Sequence, residues 1–215
     1  DYLREHGFGG DNPWEDWANS AEGSNGDLLS GWYLKNAHLP ARVPAEHSET
    51  AYITSRAMDF ISEAGEDPWC LHLSYIKPHW PYMTPAPYAG MYGPKDALPV
   101  VREESEKEDP HPVYGEFQKL KISQAMSREE VRNSVLPAYM GMIKQIDDEI
   151  GRLVAFLVEQ DRMDDTMIAF TSDHGDYLGD HWMGEKDLFH EPSVHIPFIL
   201  YDPSTDADKT RGTVS

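Results

Sequence analysis

Thr166-Met167-Ile168-Ala169-Phe170-Thr171-Ser172-Asp173-His174-Gly175 is the stretch on which the reading of the fold turns. Asp164-Asp165 punctuates a turn before it, and residues 166–171 then form a short apolar run of the kind that makes a buried strand. The carboxyl end of that run delivers one hard oxygen donor, Asp173, beside one imidazole, His174. Gly175 lets the backbone turn closely around whatever the two hold. Such a pair can ligate a divalent cation. It is equally the composition of a hydrogen-bonded turn, so its surroundings have to decide.

Upstream lies the clearest periodic segment. Val131, Val135, Tyr139, Met142, Ile143, Ile146, Ile150, Leu153, Leu157 and Val158 mark one face of a long helix running to about Gln160. Ser127 with Glu130 three residues on reads as a capping box, and Pro137 kinks the helix or begins its main part. The neighbouring Asp147, Asp148 and Glu149 read as a solvated acidic face. Farther back, Ala51, Ile53, Ala57, Met58, Phe60 and Ile61 predict a helix over 48–64 that stops at Gly65. Residues 68–76 predict another buried strand, with Cys70 as a structural thiol inside it. Downstream of the Asp-His pair, 196–201 predicts a third strand, with Pro197 at its edge or start.

Strands alternating with long helices predict an α/β domain, a central and largely parallel sheet flanked by helices. Ligands of such sheets bind beyond the carboxyl ends of the strands. Two polar loops lie there: the one opened by Asp173, and Lys77-Pro78-His79-Trp80-Pro81-Tyr82, whose prolines limit the freedom of His79. The chain divides into an irregular 1–45, a helix, strand and histidine loop over 46–82, and an irregular insertion over 83–125. Its last part, 126–215, holds the long helix, the Asp-His strand and loop, and the following strand. The run Arg102 to Asp109 reads as a solvated charged face.

Composition narrows the function. In 215 residues, 18 Lys and Arg stand against 38 Asp and Glu, a net charge of −20 that repels phosphate backbones and anionic membranes. An anionic substrate therefore needs a local reversal of sign, which a metal ion supplies most simply. The single cysteine excludes an internal disulfide and a Cys-rich zinc site. No apolar run approaches a membrane-spanning length, and the opening residues 1–5 do not resemble a signal peptide. His190 and His195 are one residue too far apart for a zinc-protease helix, and the Asp173 to Asp180 loop lacks the pattern of a calcium EF-hand.

The order of these blocks is specific. Thr171 to His181, then Lys186, then Glu191-Pro192-Ser193-Val194-His195-Ile196-Pro197 resembles the metal-binding signature of the sulfatase branch of the alkaline phosphatase superfamily. The phosphonate monoester hydrolase and arylsulfatase-like members are the most similar. Residues 77–82 resemble the family's Lys/Arg-Pro-His-x-Pro loop, and the likeness covers roughly 44–212. The resemblance implies that Asp173 and His174 are metal ligands and that Lys186 contacts oxygens of the transferred group. It implies that His79 lies near the leaving-group oxygen, with Lys77 beside it on the substrate. His181 would orient a ligand without binding the ion, and His195 has no assigned role.

An imidazole at 174 points to manganese first, with zinc, magnesium or calcium as alternatives. The implied substrate is a small sulfate, phosphonate or phosphate ester, with no nucleic acid or membrane partner and with self-association left open. Cytoplasm and periplasm remain equal alternatives. The family's nucleophile, a formylglycine in Cys-x-Pro-Ser-Arg or a hydroxyl residue, has no match, and neither do its two early aspartates; Cys70 is followed by Leu71-His72-Leu73. The sequence therefore reads as an internal piece of a longer enzyme, inactive by itself and ending at 212–215 where the family continues. A related phosphomutase and a noncatalytic binding module are the rival readings.

Overall fold

The computed structural model describes residues 2–209; the expected break at 212–215 lies outside them. In chain order the regular elements are helix α1 (Tyr2–Glu5), strands β1 (Ser20–Glu22) and β2 (Leu28–Ser30), and helix α2 (Glu49–Ala64). Helices α3 (Pro112–Gln118), α4 (Lys121–Met126) and α5 (Glu129–Glu159) follow, then β3 (Ile168–Thr171), α6 (Glu191–Val194) and β4 (Phe198–Tyr201). No helix among the described residues is long and apolar enough to cross a membrane.

Helix α2 forms where its pattern predicts. The Ala51 N–H donates to the Ser48 hydroxyl at 3.3 Å, and Gly65 ends the helix at φ 57°. Ala51, Thr54, Ala57 and Ile61 bury one stripe of it. That stripe faces α5, where Gln145 donates to the Ser48 hydroxyl at 2.7 Å and Arg152 to the Ala51 carbonyl at 2.9 Å. Around the first half of α5, Val135 and Met142 at 0% exposure pack with Met126, Val131 and Ala138 into the main core. The helix runs on through Pro137.

The capping box expected at its start does not form. Arg128 precedes the helix without a side-chain cap, and the Ser127 hydroxyl donates to the Ser123 carbonyl at 2.8 Å. Ser127 closes α4 because that short helix abuts α5 directly. Helices α3 and α4 themselves occupy part of the 83–125 region that reads as irregular.

The α/β class holds, but the described strand pairing is antiparallel where a largely parallel sheet is expected. β1 pairs with β2, and β3 with β4 in the register Ile168↔Tyr201 to Thr171↔Phe198. A parallel pair needs a long crossover, usually helical. The connection from β3 to β4 holds only a 3₁₀ turn at Asp180–Trp182 and the four-residue α6, and it returns the chain alongside itself.

The apolar strands are also less covered than their composition predicts, since Phe198, Ile199 and Leu200 are 69%, 63% and 50% exposed. Residues 68–76 pair with no strand among the described residues. They keep a strand's alternation all the same, with Trp69, Leu71, Leu73 and Tyr75 half-buried and the residues between them exposed. The Tyr75 hydroxyl meets that of Thr54 at 2.8 Å, so the half-buried face rests on α2. Cys70 falls on the other face and is exposed, not a buried thiol.

The charged run is solvated only in part. The 101–107 strap docks on the turn at 180–182: the His181 N–H donates to the Val101 carbonyl at 2.8 Å, and the Trp182 indole to the Glu103 carbonyl at 2.8 Å. Arg102 and Lys107 lie over the Trp182 ring at 4.3 and 3.7 Å.

Candidate functional site

Two loops build the site. In the first, residues 77–82, the His79 Nδ1 lies 2.7 Å from the Trp80 carbonyl. A carbonyl only accepts, so Nδ1 carries the proton and the Nε2 lone pair faces outward. Lys186 reaches across from the second loop, and its ammonium donates to that Nε2 at 2.7 Å. The His79 ring stands edge-on to His174, with centroids 6.0 Å apart.

The second loop leaves β3 at Thr171. Its His174 Nδ1 is 2.7 Å from the Gly175 carbonyl, which fixes the proton there by the same argument and leaves Nε2 free. That free nitrogen lies 3.7 Å from Asp173 Oδ2, and the Asp173 side chain is 88% exposed. Two ligands each bound at about 2.1 Å can stand no more than ~4.2 Å apart, so this pair fits one cation. Among the described residues no cluster of three or more such side chains has ligating geometry. A cation held by this pair alone would lack the further donors that a complete coordination shell requires.

The loop is braced from below. The Gly175 N–H donates to the Ser193 carbonyl at 2.8 Å, and a Cβ on Gly175 would lie 2.0 Å from the Pro192 carbonyl, so only glycine fits against α6. The Ser193 hydroxyl donates to the Lys186 carbonyl in a short contact, holding the backbone that carries the ammonium.

Of the expected site residues, His79, Asp173, His174 and Lys186 come together. Lys77 does not join them: its ammonium turns into its own loop and donates to the Pro81 carbonyl. Burial pulls its pKa down to about 8, against a smaller opposing attraction from Glu49. It braces the loop in place of contacting substrate, because a turn closed by the His79 N–H on the Ile76 carbonyl at 3.1 Å breaks the alternation that would put both side chains on one face. His181 likewise sits elsewhere. Its Nδ1 is 3.1 Å from Glu106 Oε1 and its ring stacks on His190 at 4.3 Å, which joins it to the 101–107 strap and not to Asp173 and His174. Burial first, and then the neighbouring His181, hold the His190 imidazole below its usual pKa. His195 pairs with Glu191 at 2.8 Å on the exposed side of α6.

Sequence reasoning missed a link between the loops. The Tyr82 hydroxyl donates to Asp176 Oδ2 at 2.6 Å. Burial pushes the Asp176 carboxyl above its usual range, and the bonds from Tyr82 and the Leu178 N–H oppose that shift. The available signal was a phenol and a carboxylate, each a few residues from a site histidine, in segments otherwise set to pack. A separate groove of about 440 Å³ between α5 and residues 89–94, lined by His38, Tyr92, Asn133 and Ser134, shares no residue with the site.

The profile of the family described as Sulfatase matches residues 4–215. The multifunctional alkaline phosphatase superfamily protein PehA of Trinickia caryophylli is 34% identical over 175 residues, covering 76% of this chain and 34% of that protein. An arylsulfatase of Clostridium perfringens (strain 13 / Type A) is 27% identical over 212 residues, 92% of this chain and 41% of that one. The phosphonate monoester hydrolase SpPMH from Silicibacter pomeroyi superposes with a TM-score of 0.80 at 28% identity, over 94% of this chain and 40% of that chain. The chain thus spans 34% to 41% of the length of these proteins.

Proposed function

This chain belongs to the sulfatase family and has the α/β fold of the alkaline phosphatase superfamily, and on that premise we propose that its loop cluster is part of the active site of a metal-dependent ester hydrolase. The substrates are sulfate, phosphonate or phosphate esters. What supports the reading is the convergence of Lys186, His79 and His174 from two loops, through a 2.7 Å bond and a 6.0 Å ring contact.

Asp173 and His174 would hold a divalent cation, which polarises the nonbridging oxygens of a bound ester and offsets the charge of −20 locally. Manganese suits a mixed carboxylate and imidazole pair better than calcium does. Lys186 supplies a fixed positive charge for the oxygens of the transferred group. His79, held by the Trp80 carbonyl, keeps Nε2 directed at the same place. Lys186 keeps its proton and its charge, and the pair it forms with His79 directs N–H donors at the charge developing on the departing alcohol oxygen. The family's nucleophile and its two further aspartates have no counterpart in these 215 residues, and the share of PehA's length that is matched, 34%, leaves room for them in a longer chain.

The overlay on SpPMH, a phosphonate monoester hydrolase, at a TM-score of 0.80 favours phosphonate monoesters. The sulfate reading stands beside it because the arylsulfatase aligns over 92% of this chain. Rates of the full-length protein on 4-nitrophenyl phenylphosphonate and 4-nitrophenyl sulfate decide between them. His174→Ala is expected to lower metal content and turnover together, since it removes a ligand. Lys186→Met is expected to lower kcat by about 10²–10³-fold with the metal retained. Wild-type metal content and rate in His174→Ala would refute the assignment.

A further inference from the structure

The loops that carry His79 and His174 meet a second time, below the reacting groups. Tyr82 lies three residues after His79 and is 1% exposed, its ring packed into the core with Ala37, Met126, Val135 and Met142. Tyr139 of α5 stands edge-on to it at 6.2 Å between centroids. Asp176 lies two residues after His174. It accepts the Tyr82 O–H on Oδ2 at 2.6 Å and the Leu178 N–H on Oδ1 at 3.0 Å, so both of its oxygens are committed.

This is a costly way to join two loops. Asp176 is half-buried, and a carboxylate even partly withdrawn from water stabilises a fold less than apolar packing of the same volume would. What the arrangement does provide is registry, because a phenol-to-carboxylate bond is short, strong and directional. The Tyr82 ring is immobilised by the core. Pro81, with its fixed φ, stands between it and the Trp80 carbonyl that holds His79. On the other side, Gly175 separates Asp176 from His174 and is pinned against α6. Little slack remains between the bond and either imidazole.

We propose that Tyr82 and Asp176 are a positioning pair whose hydrogen bond sets the separation of His79, with Lys186, from Asp173 and His174. They touch no reacting atom, and their bearing on turnover rests on the hydrolase reading above.

The test is made on the full-length protein with ring-labelled histidines, by the nuclear Overhauser effect between the His79 and His174 rings in the metal-free state. Tyr82→Phe keeps the ring the core uses and loses the hydroxyl; Asp176→Ala loses the acceptor. Each is expected to weaken the His79–His174 effect at least about twofold while helical circular dichroism is retained, since distance enters this effect steeply. Asp176→Asn offers a carbonyl to Leu178 and an amide donor to the Tyr82 oxygen, and it is expected to keep the effect near its wild-type size. The two disruptive variants are further expected to lower kcat about tenfold with KM little changed, as a misplaced catalytic pair would. Wild-type ring effects in both disruptive variants would overturn the proposal, whatever their melting temperatures. Weakened ring effects in a protein whose wild type hydrolyses neither ester would leave the positioning pair standing and remove the hydrolase reading.

Discussion

Helices α2 and α5 carry apolar stripes and the segments 68–76, β3 and β4 are apolar runs, and the fold treats them differently. Val135 and Met142 of α5 are 0% exposed, while Phe198 and Ile199 of β4 are 69% and 63% exposed. A helix satisfies its own backbone and needs only cover for its stripe, which α5 finds against Ala37, Tyr82 and Met126 and α2 finds against α5. A strand needs neighbours at its edges and cover on its faces, and these come from elsewhere in the chain or not at all. Apolar composition thus predicts an element's type more securely than its burial.

Three substitutions probe this contrast. The largest effect is expected from Met142→Ala, which empties a closed site in the core and should cost about 2–5 kcal/mol, read as a lowered urea midpoint. A cost under ~1 kcal/mol would mean that the α5 core is looser than the contrast requires.

Lys77→Met comes next, because it removes a charge from the boundary between the two regions. The Lys77 pKa is about 8 when folded against 10.5 for an ordinary lysine. Between those values the unfolded chain binds more protons, so stability from this group rises with pH; below pH 8 the penalty of burying the charge is fully present. The variant is expected to gain about 2 kcal/mol at pH 7, after losing the bond to the Pro81 carbonyl, with the gain fading towards pH 10.5. A difference that stays constant across that window would show that the charge is not the cause.

The smallest effect is expected from Ile199→Ala, within about 0.5 kcal/mol, as for an exposed side chain. A cost near that of Met142→Ala in the full-length protein would show that this face of β4 is covered there, which would narrow the contrast between strand and helix.

The candidate site was legible in proportion to how local its signals are. Asp173 and His174 are adjacent, and Lys186 and His79 sit in ordered motifs, so the resemblance to the sulfatase branch could be carried onto them position by position. Lys77 stands in the same motif as His79, yet only the turn of the loop shows that one side chain faces in and the other out. Ser127 illustrates the same limit among the caps. Its spacing to Glu130 suits the start of α5, and the end of α4 claims its hydroxyl instead. In sequence His181 lies near the Asp173–His174 pair, whereas Glu106, 75 residues away, is its partner in space.

By itself the sequence determined the period of α2 and α5, the extended character of 68–76, 168–171 and 198–201, and the residue types gathered in the two candidate loops, because periodicity and side-chain chemistry are properties of short stretches. Only the tertiary structure decided that β3 and β4 run antiparallel, that Cys70 faces outward, that the charged strap lies on Trp182 and that Tyr82 binds Asp176. Each of these depends on a partner far away in the chain, and nothing in a local pattern names the partner.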